Sequence, residues 1–98
     1  MIVEFEGTVF LWDARTEAMH LVAVPAELSA DIRDIPRVRR GFGSVRVEAQ
    51  LGGSRWRTSI FPDSGRGEYV LPLKRAVRDA EGVAEGDLIS VRLEVFDG

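Results

Sequence analysis

Lys74, Arg75 and Arg78 are the residues of this 98-residue chain whose types and spacing come nearest to a chemical site. The chemistry they suggest is anion binding. The sequence predicts a helix opened by Pro72, and residues four apart on a helix share a face, so Lys74 and Arg78 would stand side by side. Like charges at that spacing cost roughly a few tenths of a kcal/mol in an isolated helix, and a bound anion would relieve the cost. A solvated helix face, with Asp79 and the acidic residues after it as neighbours, accounts for the same pattern. Arg57 sits in a predicted hairpin opposite Glu48, where a surface ion pair worth about 0–1 kcal/mol would explain it. Its neighbour Trp56 reads as a core or barrel-mouth residue, with stacking on a nucleobase as the sharper alternative. Lys74, Arg78, Arg57 and Trp56 are therefore the candidate ligand-binding residues.

Other groupings carry less. Arg37, Arg39 and Arg40 lie beside Gly41 and Gly43 and could form a basic arm touching phosphates, or a solvated loop. Gly65-Arg66-Gly67 lacks the strand–loop–helix setting of a phosphate loop and reads as a turn. Thr58 and Ser59 offer hydroxyls without a nucleophile elbow around them. His20 is the only histidine, with no second ligand at metal spacing, and reads as a structural or merely exposed residue. The chain has no cysteine, so disulfides, thiolate chemistry and sulfur-ligated metals are excluded. No catalytic motif, metal site or cofactor motif emerges, and an enzyme would need residues brought together only by folding.

Charge is blocked along the chain. Residues 1–32 carry a net −5, residues 33–78 a net +7 and residues 79–98 a net −5, giving the formal −3. If the fold gathers the middle block on one face, an acidic protein would still present a local anion-binding surface. All its basic residues but Lys74 are arginine. A GC-rich genome explains that bias, and bidentate anion recognition also suits Arg.

The elements that must position these residues are mostly strands, because the hydrophobic period is two. Val3, Phe5, Gly7, Val9 and Leu11 share one face of a first strand, and a turn over 13–17 leads to a second strand over about 18–24. Pro25 opens a short helix with Leu28, Ile32 and Ile35 in one stripe, and Pro36 stops it. Val45 to Leu51 and Ser54 to Phe61 form a hairpin around Gly52-Gly53, which supplies positive φ angles. A tight turn fixes the register: 51 faces 54, 49 faces 56, 47 faces 58 and 45 faces 60. A short strand over 68–71, a second helix ended by Gly82, and a last strand from Ile89 to Val95 complete the pattern. The fold class is mainly β: a small, about six-stranded β-barrel with two short helices, closed because closure removes exposed edges. An open sheet packed on both helices is the runner-up.

Length implies one domain over residues 1–98, burying roughly 65% of its unfolded surface. The acidic, alternating N-terminus is not a signal peptide, and no apolar run reaches the roughly 18 residues of a membrane span. A cytoplasmic protein without membrane partners is the default.

An ordered set of segments supports a family resemblance: Trp56 to Pro62, Gly67 to Leu73, Lys74 to Arg78, Gly82-Val83 and Gly86 to Val91. With Phe5 to Val9 and Val24-Pro25, these resemble the bacterial domain-of-unknown-function family nineteen-oh-five (DUF1905). The resemblance covers nearly the whole chain. It implies a small β-barrel of bacterial origin, and no activity, cofactor or catalytic residue. The Gly86-Asp87 ending also looks like the swapped-hairpin barrels of transition-state regulators, at the level of fold only.

The function expected is a non-catalytic binding or interaction module with a basic face for an anionic ligand or a protein partner. Two rivals stay open. One is a nucleic-acid-binding barrel, monomeric or dimeric, using the arginines of 37–46, which the acidic net charge disfavours. The other is a small-molecule pocket or enzyme at the barrel mouth, which predicts a concave site holding Trp56, Arg57 and a perturbed titratable group.

Overall fold

The computed structural model describes residues 1–14, 17–35, 43–63 and 65–96, and side chains outside 13–18. Seven antiparallel strands run β1 (Ile2–Thr8), β2 (Phe10–Ala14), β3 (Glu17–Ala23), β4 (Val45–Leu51), β5 (Ser54–Asp63), β6 (Glu68–Pro72) and β7 (Leu88–Val95). Two helices, α1 (Ala26–Arg33) and α2 (Arg75–Glu81), interrupt them. The strands form one sheet in the order β1-β7-β4-β5-β6-β3-β2, curled into a half-barrel. Among the described residues no helix is long and apolar enough to cross a membrane.

The expected first strand is two. β1 pairs with β7 and β2 pairs with β3, at opposite edges of the sheet, with only Val9 between them. Val9 accepts from the Gly86 amide and donates to the Asp87 carbonyl, so the bend is held by backbone. There β1 passes close to β3: a Cβ on Gly7 would lie 2.6 Å from Val22 Cγ2. Only glycine permits that approach. Alternation continues unbroken through Val9, which is why the sequence reads as a single strand and the expected count is six.

The β4–β5 hairpin takes the expected register, from Leu51↔Ser54 to Val45↔Ile60. The turn differs in one respect: among the described residues Gly52 takes a positive φ of 57° and Gly53 does not. Val45, Val47, Ala49, Trp56 and Ile60 point inward and join Val22, Leu71, Val91 and Leu93 in one core. Trp56 is buried and Trp12 is exposed. A face of Trp56 for base stacking is thus taken up by packing.

Helix α1 starts after Pro25 and buries Ile32, as its stripe requires. Its Ser29 is wholly buried, donating to the Val24 carbonyl and accepting from the Tyr69 amide, which ties the helix to β6. Helix α2 ends at Gly82 in the left-handed conformation expected of it. Its start is a correction. Pro72 is the last residue of β6, paired with Leu21, and does not open the helix. The helix begins at Arg75, with Lys74 as its extended N-cap residue.

Candidate functional site

The parting of β5 from β6 creates the site. Their ladder covers only Phe61↔Val70, Pro62↔Tyr69 and Asp63↔Glu68. Continuing that register places Ser59 opposite Pro72, which has no N–H to give to the ladder. The other edge of the β6 segment stays tied to β3, where the Leu73 amide donates to the His20 carbonyl at 2.9 Å. After Leu73 the chain turns into α2. Between β5 and this junction lies a cleft of about 310 Å³.

Its lining includes Met19, His20, Trp56, Thr58, Leu73, Lys74 and Arg78, together with Arg57 and Pro72. All four candidate residues of the sequence reading thus border one concavity. Their side chains play different parts. Lys74 is exposed, and no hydrogen bond or ion pair holds its ammonium among the described residues. Arg78 is half-buried, and its Nε donates to the Leu73 carbonyl at 3.1 Å. That bond uses one of five guanidinium donors. Arg57 turns its guanidinium to the outer face, where Nε lies 3.6 Å from Glu48 Oε2 and the charge sits 5.4 Å from the Phe96 ring. Trp56 supplies apolar wall.

Among the described residues no carboxylate lines the cleft. Three acidic side chains on the neighbouring β4 and α2 are committed to other partners: Glu48 to Arg55 and Arg57, Asp79 to Arg75, and Glu81 to the Gly53 amide and the Ser54 hydroxyl. Much of the described basic block is engaged with neighbours. Arg55, Arg57, Arg66 and Arg75 are ion-paired, Arg33 lies over Tyr69, and Arg66 also covers Phe10. Arg37, Arg39 and Arg40, the proposed basic arm, lie outside the described residues.

His20 is what sequence reasoning passed over. Its Nδ1 is buried without a hydrogen-bond partner among the described residues. The signal available was parity: His20 shares a strand face with Val22, which is fully buried. The cleft therefore combines an ammonium, a guanidinium, an imidazole and an apolar wall. Such a set can hold an anionic group through charge-assisted hydrogen bonds. Among the described residues no three His, Asp or Glu side chains cluster as metal ligands would.

The match that decides kinship extends over residues 5–93, to the family described as Domain of unknown function (DUF1905). The chain belongs to the DUF1905 family. The matched span runs from Phe5 in β1 to Leu93 in β7, so every residue bordering the cleft lies within the DUF1905 domain. No curated protein matches the chain in sequence.

Proposed function

We propose that this DUF1905 domain is a non-catalytic binding module that seats an anionic group of its ligand in the cleft between β5 and the β6–α2 junction. The observation that carries the reading is charge imbalance: Lys74 and Arg78 border a concavity whose lining, among the described residues, holds no carboxylate. A cation without a counter-ion beside an apolar wall gains by pairing with a ligand's negative group, since part of the water that screens it is already displaced. His20 Nδ1 adds a buried polar group for which the described residues supply no hydrogen bond. Arg57 contributes its backbone and the base of its side chain, and Trp56 contributes shape.

The test is thermal unfolding with phosphate, sulfate, acetate and citrate at matched ionic strength. An anion that binds only the folded state raises Tm by mass action. At least one should raise it above the chloride control, and Lys74→Ala should abolish the rise. No rise with any of the four, or a rise that survives Lys74→Ala and Arg78→Gln together, would overturn the reading.

A further inference from the structure

Resting on the anion-cleft reading, we infer that the ligand is the C-terminal end of an extended peptide, its α-carboxylate at Lys74 and Arg78 and its backbone paired with the free edge of β5 at Arg57. Two features select a peptide over a small anion, and a third selects its terminus.

The first is the strand edge. Leu51↔Ser54 closes a two-residue turn, so Ser54, Trp56, Thr58 and Ile60 direct their backbone groups at β4. The odd-numbered residues then point the other way, and Phe61 and Asp63 use that side to pair with β6. Arg57 also faces that side, and among the described residues no strand pairs with it there. Arg57 lines the cleft, and strand parity turns its amide and carbonyl to that side. An unpaired donor and acceptor in extended geometry match the backbone of an added strand.

The second is size and lining. About 310 Å³ is at the low end of ligand pockets, room for the tip of a ligand and not its bulk. Met19, Trp56 and Leu73 would border the last side chain, which should be apolar.

The third is that the cleft is closed along β5 in both directions. At one end Glu81 holds the Gly53 amide at 3.3 Å and the Ser54 hydroxyl at 2.6 Å, drawing α2 onto the hairpin turn. At the other the β5–β6 ladder begins at Phe61. A strand cannot run through; a chain end can enter. A chain end also brings a carboxylate to a place whose charges are cationic.

The experiment uses fluorescence polarisation on a library of short peptides with varied last residues, each made with a free C-terminus and as the C-terminal amide. Free peptides ending in an apolar residue should bind, and amidation should weaken them by about tenfold or more. Arg57→Pro removes the cleft-facing amide without taking a bond from β4, and should abolish peptide binding that Arg57→Ala retains. In the wild type, hydrogen exchange at the Arg57 amide should slow on binding, a readout that does not depend on the proline variant folding. Equal binding of free and amidated peptides would overturn the inference. So would phosphate or acetate binding in the cleft with no peptide bound, an outcome that leaves the anion-cleft reading standing. Failure of peptides and small anions alike would remove both. Displacement of a bound peptide by RNA at sites away from Lys74 would also overturn it.

Discussion

Continued two residues past Phe61↔Val70, the register of β5 and β6 sets Ser59 against Pro72, which has no N–H to offer it. One missing donor ends the ladder, and the two strands part where Lys74, Arg78 and His20 meet. A proline that the sequence assigns to a helix start therefore shapes the site from a strand end.

Replacing it tests the relationship. Pro72→Ala adds an amide facing Ser59. The new hydrogen bond contributes about 0.5–1.5 kcal/mol, while the freer unfolded chain costs about 0.4–1 kcal/mol. Stability measured by urea unfolding should change little. Hydrogen exchange should find the amide at position 72 protected, and the longer ladder should narrow the cleft and weaken anion binding. An unprotected amide at that position would contradict the assigned register.

Lys74→Ala and Arg78→Gln separate binding from folding. The Lys74 ammonium has no hydrogen bond or ion pair among the described residues, and its carbonyl still caps the Val77 and Arg78 amides after truncation, so Lys74→Ala should shift stability by no more than about 0.5 kcal/mol. Arg78→Gln removes the Nε bond to the Leu73 carbonyl and should cost about 1–2 kcal/mol. Urea unfolding of both variants checks these values.

The clasp between Glu81 and the hairpin turn predicts a coupled pair. A Cβ on Gly52 would collide with the Glu81 carboxylate, and Gly52 has φ 57°. Gly52→Ala should destabilise by about 1–3 kcal/mol through strain and loss of the clasp. Glu81→Ala should cost about 1–2 kcal/mol by itself. In the double variant the losses should be less than additive, since both disturb one contact. Additive losses in a double-mutant cycle would mean the clasp is not shared.

Ser29 is a structural counterpart to the site residues. Ser29→Ala removes the acceptor of the Tyr69 amide and the donor to Val24, both buried, and should cost about 1–3 kcal/mol. Chemical denaturation checks it, and anion binding in the folded fraction should persist.

The parts legible in the sequence are those set by local chemistry. Gly52-Gly53 between alternating runs fixed the hairpin register residue by residue, and Gly82 marked the end of α2. Period two reports which face a residue takes and is silent on its partners, so the switch from β7 to β3 at Val9 was hidden. The same silence hid His20, because its cleft exists only once β3, β5 and the β6–α2 junction meet. Lys74 and Arg78 were found for their spacing on a helix face, yet they border the cleft as the N-cap residue and a last-turn side chain of α2.

The central claim is that anions enter the cleft at Lys74 and Arg78, and a nitrogen-detected NMR titration with phosphate and with acetate tests it most directly. Shifts should concentrate at Lys74, Arg78, Arg57 and the His20 ring, saturate, and vanish in Lys74→Ala. Shifts spread over the exposed arginines of the outer face, or gathered at residues 37–46, would contradict it.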